Sequence, residues 1–215
     1  MRLIKVSKKS DLFKKAIDMF KETTYGKDVV NIAFSGGRTP KEFFSKLSKE
    51  DINWDKINIF LVDERFVPLD SEGSNYNLLK KNLLDKIEIP EKNIHKIEIL
   101  KTPLDSKIDY EKRLLKYFKG NIKFDAIYLG IGEDGHTGSI FTMDDVEVLE
   151  PTLITESANH PYKRITLSME TINKADKKIV IATREKAGVL ENLPRFKCPA
   201  FFIDDPIILM EYEKE

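Results

Sequence analysis

Phe124-Asp125-Ala126-Ile127-Tyr128-Leu129-Gly130-Ile131-Gly132-Glu133-Asp134-Gly135-His136-Thr137-Gly138-Ser139-Ile140-Phe141 decides how this chain is read. Its first five residues form a short apolar run of the kind that becomes a buried strand. Four glycines then fall within nine residues, so the backbone can take unusual angles and pass close to a ligand. One carboxylate, Asp134, and one imidazole, His136, sit there with only Gly135 between them. Open α/β sheets bind ligands in the crevice beyond the carboxyl ends of their strands, where such a loop lies. A plain turn in which Asp134 caps a following helix is the alternative. Glycine density and placement after an apolar strand favour a functional loop.

The rest of the chain has the matching pattern. Val29-Val30-Asn31-Ile32-Ala33-Phe34 reads as a buried strand running into Ser35-Gly36-Gly37-Arg38-Thr39-Pro40. Pro40 suits the first turn of the next helix. A strand, a glycine turn and a helix N-terminus gather backbone N–H groups at one point, a natural anion site. The spacing is that of neither a Walker loop nor a dinucleotide fingerprint. Ile57 to Val62 is the next strand and ends in Asp63-Glu64-Arg65. Ser74 opens a helix with Asn75 in its first turn. Lys178 to Thr183 is a further strand, followed by a helix from Arg184-Glu185-Lys186 to near Pro194. A cation such as Lys186 at a helix N-terminus opposes the helix dipole, a conflict that a bound anion removes.

The remaining segments are read more loosely. Leu3 to Val6 is an edge strand, and Ser10 or Asp11 caps a helix to about Thr24. Asn93 to Leu100 is a loose strand with a structural His95, and Asp105 or Ser106 starts a helix to about Phe118, ended by Gly120. Asp145 to Ala158 lacks periodicity and reads as an excursion over part of the site, and His160 falls in a surface turn. Arg164 to Ser168 is a short strand, Met169 to Lys174 a turn or two of helix, and Pro199 to Asp204 the final strand. Strands alternating with helices predict a single-domain α/β chain over residues 1–215, Rossmann-like, its mainly parallel sheet covered by helices on both faces.

Composition narrows the function. Lys+Arg and Asp+Glu are both 36, so no basic field points to nucleic acid or membrane, and an anion must be held by a local cluster. No apolar run has the ~20 residues of a membrane span. The lone Cys198 rules out an internal disulfide and a cysteine-based zinc cage, reads as a core residue, and suits the cytoplasm. The converging strand ends bring Ser35 to Thr39, Asp63 to Arg65, Asp134 with His136, and Arg164 with Lys186 to one crevice. Those cations and that glycine turn suit a dianionic phosphate, and the histidine suits proton transfer near neutral pH. Asp134 can hold one tautomer of His136 and leave the other nitrogen for a water proton. Arg65 is the candidate cation for a developing oxyanion, or for orienting the carboxylate, Asp63, beside it. No metal-ligand spacing is evident, so no metal and no cofactor is expected.

At these residues the chain resembles the 6-phosphogluconolactonase family, of the glucosamine-6-phosphate isomerase/deaminase and lactonase superfamily. The resemblance runs through Phe34-Ser35-Gly36-Gly37-Arg38-Thr39-Pro40, Val62-Asp63-Glu64-Arg65-Phe66-Val67-Pro68, Ser74-Asn75-Tyr76-Asn77, Gly130 to Phe141, and Arg164-Ile165-Thr166-Leu167-Ser168. It implies the deaminase/lactonase fold and hydrolysis of 6-phospho-D-glucono-1,5-lactone in the pentose phosphate pathway. It also implies His136 as general base, with Arg164 and Lys186 on the phosphate. The binding set then comprises Ser35, Gly36, Gly37, Arg38, Thr39, Asn75, Gly135, Arg164 and Lys186, and the catalytic set His136, Asp134, Arg65 and Asp63. The expected partner is a sugar-phosphate lactone, met by a monomer or weak homo-oligomer. Thr183-Arg184-Glu185-Lys186 lacks the glycine that the family pattern has before its lysine, so Arg184 competes with Lys186 for the phosphate. The similar glucosamine-6-phosphate deaminases carry a glutamate five positions after the histidine, where this chain has Phe141, and favour a tyrosine where it has Arg65. A non-catalytic sugar-phosphate sensor is the remaining alternative, disfavoured by the neutral charge and the absence of a second domain.

Overall fold

The computed structural model describes residues 1–192 and 198–212. Its strands are β1 (Arg2–Val6), β2 (Val30–Phe34), β3 (Ile57–Leu61), β4 (Asp63–Arg65), β5 (Ile94–His95), β6 (Ala126–Leu129), β7 (Thr152–Ser157), β8 (His160–Leu167), β9 (Lys177–Ala182) and β10 (Ile207–Glu211). Its helices are α1 (Lys9–Thr24), α2 (Arg38–Leu47), α3 (Asn75–Asn82), α4 (Pro103–Tyr117), α5 (Met143–Val146), α6 (Met169–Asn173) and α7 (Ala187–Asn192). Seven strands pair in parallel in the order β1-β10-β9-β6-β2-β3-β5. From β2 the chain moves outward through β3 to β5, returns to β6 on the other side of β2, and leaves through β9 and β10. The connections after β2 and β6 therefore diverge, and the crevice of a parallel sheet opens at such a reversal. Both glycine loops emerge there.

The pleat places helices on the two faces. Ala33 pairs with Phe60 and Phe34 with Leu61, so Phe34 and Phe60 point to opposite sides of the sheet. Phe34 packs with Phe20 of α1, Phe43 and Phe44 of α2, and Tyr128. Phe60 meets Tyr117 of α4, Phe118 and Phe124. His95 stacks on Phe60 at 4.1 Å, and burial pushes its imidazole down to about 4, so it is a neutral, half-buried side chain. Among the described residues no helix is long and apolar enough to cross a membrane.

A second sheet, β4-β8-β7, is antiparallel. The loosely read excursion is in fact α5 and β7, and the expected short strand at Arg164 begins at His160. β7 hides from periodicity because its buried side chains include threonines, which are satisfied by hydrogen bonds. Thr152 Oγ1 donates to Glu111 and Thr155 Oγ1 to the Ser139 carbonyl. The final strand is β10, inserted between β1 and β9. The expected strand at 199–204 is instead a 3-10 turn, Pro199–Phe202: Pro199 has no N–H for a ladder, and the N–H groups of Ala200 and Phe201 go to Gly135 and Cys198. Helix starts also move. α1 begins after Lys8 without a side-chain cap, and Thr102, not Asp105 or Ser106, caps α4. The strand expected over 93–100 contracts to Ile94–His95. The expected helix end near Pro194 lies outside the described residues.

Glu64 fixes how β4 meets α3. Its carboxylate is wholly buried and accepts from the backbone N–H groups of Arg65, Asn75 and Tyr76 and from the Ser74 hydroxyl, at 2.7–2.8 Å. Burial pushes its carboxyl above the ordinary range, against the pull of those donors. Three of the four donors belong to the first turn of α3 or its cap, where a negative charge is favoured. The solvated strand end that a run of three charges suggests is thus a buried joint. Glu64→Gln turns an amide N–H toward donors that need an acceptor. We expect a loss of about 3 kcal/mol in urea unfolding, as for a hydrogen-bonded buried charge.

Candidate active site

A cavity of about 640 Å³ opens over the carboxyl ends of β2, β6 and β9. The glycine turn Ser35 to Thr39 forms one wall and the β6 loop another, with His136 and Ser139 inside it. Arg65 and Arg164 come from the small sheet, and Lys186 from the turn after β9. The sequence-expected convergence is therefore seen at most of its residues.

His136 is held by Asp134. Its Nδ1 lies 2.5 Å from Asp134 Oδ1, and its backbone N–H donates to the same oxygen at 3.2 Å. Burial pushes the Asp134 carboxyl up. The charge of His136 and its hydrogen bonds outweigh this and hold it below the ordinary range. An ionised Asp134 favours the Nδ1–H tautomer and leaves Nε2 to accept a proton. The helix after the loop, α5, is capped by Thr142, so Asp134 is not a helix cap. Gly132 makes the pair possible: a methyl group there would lie 2.1 Å from His136 Nδ1 and 2.6 Å from Asp134 Oδ1. Gly135 does not line the cavity. It packs on Cys198 with φ +80°, and a methyl group there would meet the buried Cys198 sulfur at 2.5 Å.

Asp63 lines the cavity, and Asn75 lies one layer behind it. Asp63 is 5% exposed and accepts from Ser35 Oγ at 2.6 Å, Ser139 Oγ at 2.5 Å and Asn75 Nδ2 at 3.1 Å. With both oxygens so occupied it holds the loops. Asn75, expected in the binding set, is 1% exposed and not in the cavity wall. Its amide also donates to the Asp63 carbonyl and lies against Gly36, where a methyl group would be 1.9 Å from Oδ1.

The cations come in pairs. Arg65 and Arg164 are direct cross-strand partners on β4 and β8, an arrangement of like charges that costs stability. Arg65 Nη1 donates to the Gly73 carbonyl at 2.7 Å, and its buried Nε has no protein partner. Arg164 Nη1 donates to the Tyr162 carbonyl at 2.9 Å. Burial, then the Arg65 charge, lower the basicity of Arg164, while Asp63 and Glu64 oppose them. Two adjoining guanidinium groups in a cavity wall suit an anion. Lys186 and Arg38 both face Glu133: Lys186 Nζ donates to its Oε1 at 2.9 Å, and Arg38 Nη2 lies 3.9 Å away. Arg184 also lines the cavity.

His160 is the residue that sequence reading missed. It belongs to the cavity and not to a surface turn. Its ring stacks on Phe141 at 5.0 Å and meets the His136 ring edge-on at 4.9 Å, and its Nε2 is 3.8 Å from Asp134 Oδ2. Burial first, and then the charge of His136, lower its basicity. Asp134, His136 and His160 place donor atoms within 4.8 Å of one another, a set that could hold a divalent cation. Sequence spacing hid this group because β8 delivers its third member. A cation there would have to displace the hydrogen bond between Asp134 and His136.

Known proteins resemble this chain in sequence and in fold. The profile of the family described as glucosamine-6-phosphate isomerases/6-phosphogluconolactonase matches residues 7–206. A 6-phosphogluconolactonase of Thermotoga maritima is 32% identical over 184 residues, 82% of this chain and 80% of its own length. Another, from Synechocystis, is 36% identical over 149 residues, and that match spans 67% of this chain and 62% of the relative. The crystal structure of the Thermotoga maritima 6-phosphogluconolactonase superposes with a TM-score of 0.88 at 25% identity, covering 98% of both chains.

The space kept open by Gly132 can be tested directly. Gly132→Ala should displace the His136 ring while leaving the sheet intact. We expect kcat to fall about a hundredfold, the lower end of what a general base contributes. Unchanged thermal unfolding and a shifted His136 ring resonance in NMR would accompany the loss.

Proposed function

We propose a lactonase from one premise: the chain belongs to the family of glucosamine-6-phosphate isomerases and 6-phosphogluconolactonases. It hydrolyses 6-phospho-D-glucono-1,5-lactone to 6-phosphogluconate, a step of the pentose phosphate pathway. The observation that carries this choice within the family is Phe141, whose ring lies 5.0 Å from that of His136. Amine release from an aminosugar phosphate needs acid help at the ring oxygen, and a benzyl side chain cannot give it.

The reaction uses groups already in place. Lys186, Arg38, Arg164 and the amides of the Ser35-Gly36-Gly37 turn hold the phosphate. His136 Nε2 takes a proton from a water molecule, whose oxygen attacks the lactone carbonyl carbon. The charge that develops on the carbonyl oxygen falls to Arg65, which lines the cavity from β4. As the tetrahedral intermediate collapses, the ring C–O bond breaks. The leaving ring oxygen takes the proton back from His136 and becomes a hydroxyl, and the carbonyl carbon is left as a carboxylic acid, which loses the second proton of the water to solvent and becomes the product carboxylate. Asp134 stabilises the imidazolium between the two transfers.

Purified protein should open the phosphorylated lactone in a spectrophotometric assay and release no ammonia from glucosamine 6-phosphate. His136→Ala should lower kcat by about 10²–10⁴ with KM little changed. Arg164→Ala should raise KM for the phosphorylated lactone by a factor corresponding to about 2 kcal/mol and spare unphosphorylated gluconolactone. Ammonia release at a rate comparable to lactone opening would overturn the assignment.

A further inference from the structure

Glu133 has no part in the reaction above, yet its carboxylate stands at two of the phosphate cations. One oxygen, Oε1, accepts from Lys186 Nζ at 2.9 Å and lies 3.9 Å from Arg38 Nη2. A phosphate oxygen bound between a lysine and an arginine would make the same pair of contacts. The Lys186 side chain is only 14% exposed and belongs to the cavity wall, whereas Glu133 is 75% exposed and reaches in from the rim. The hydrogen bond from Lys186, then its charge, hold the Glu133 carboxyl below the ordinary range, with a smaller pull from Arg38. It is therefore an anion whenever the enzyme works.

We propose that Glu133 is an internal stand-in for the substrate phosphate, which every incoming anion must displace. This rests on the assignment of Lys186 and Arg38 to the phosphate. An exposed ion pair is weak, so displacement raises the dissociation constant of a ligand only by about two- to fivefold. Attraction to the cations scales with ligand charge. A phosphate dianion gains more from them than it displaces. A monoanion exchanges one negative charge for another and gains little. The displacement cost is common to all anions, so the preference for dianions comes from the cations, while Glu133 keeps those cations paired when the site is empty, from the loop that carries the catalytic base.

The test compares Glu133→Gln with the parent protein. KM for the phosphorylated lactone should fall about two- to fivefold with kcat unchanged. KM for unphosphorylated gluconolactone should stay as it is. Nitrate and inorganic phosphate should both become better inhibitors, by about the same two- to fivefold factor. In a Lys186→Ala background the same substitution should have no effect. A rise in KM, or no change, would overturn the proposal, because Glu133 would then position Lys186 or do nothing. Lys186→Ala alone separates the two layers of inference. If it leaves discrimination between the two lactones unchanged, the phosphate assignment itself fails. If it weakens discrimination while Glu133→Gln leaves KM unmoved, only the role given to Glu133 fails.

Discussion

A single buried carboxylate, that of Asp63, fixes where the loops of the site stand relative to one another. It receives Ser35 from the turn after β2, Ser139 from the loop after β6 and Asn75 from the first turn of α3. These segments are far apart in sequence and share no strand pairing at those points. A carboxylate removed from water needs its lone pairs satisfied, so each donor is held by the others' presence. The glycine turn that receives an anion and the loop that carries the base are thereby referred to one point. Sub-ångström placement of reacting groups depends on such shared anchors.

Val62 explains how a strand can end in that anchor. Its N–H pairs with the Phe34 carbonyl as a continuation of the parallel sheet, and its C=O accepts from Leu167 of the antiparallel one. The chain changes sheets at this residue, and the next three side chains are delivered at the crevice. Asp63 turns to the loops, Glu64 into the joint with α3, and Arg65 to the cavity opposite Arg164. Facing arginines would drive two strands apart if nothing offset them. The charges of Asp63 and Glu64 act on Arg164 in the favourable sense. Two buried carboxylates thus sustain a cationic wall that a structure selected for stability alone would not contain.

Much of this was legible in the sequence, and the illegible part has a physical pattern. The strand–glycine–helix order at Ser35 to Pro40 and the apolar run before Gly130 gave the parallel sheet and its crevice, because buried parallel strands are nearly continuous apolar runs. The small sheet was not legible. β4 is three charged residues whose burial rests on hydrogen bonds, and β7 carries threonines inward. Hydrophobic periodicity cannot register side chains buried as polar groups. The two apolar stretches near the end of the chain each follow or begin with a proline, Pro199 and Pro206, so the pattern alone does not tell the 3-10 turn at Pro199 from the strand at Ile207. Chemistry within a single loop, as with Asp134 and His136, could be read from spacing. His160 could not, because only the register of β8 against β7 carries it to the same carboxylate. Asn75 and Gly135 stand in the expected binding set, but what fixes their identity is contact with Gly36 and Cys198.

The small sheet has a second consequence for the base. The loop from Gly130 to Phe141 is neither helix nor ladder, and Gly135, Gly138 and Ser139 all have positive φ. For Ser139 such a conformation is strained and persists only where the surroundings impose it. Within the loop, Thr137 Oγ1 donates to the Gly130 carbonyl and the Gly132 N–H to the His136 carbonyl. From outside, Thr166 of β8 donates to the Gly138 carbonyl and Thr155 of β7 to that of Ser139. Consecutive carbonyls in the strained part are therefore each claimed by a hydroxyl from an adjacent strand of the small sheet. Valine at either threonine would fill the same volume and leave a carbonyl unpaired. The inward-facing threonines that hid β7 from the sequence are thus what splints the loop and keeps His136 in register with the arginines of the same sheet.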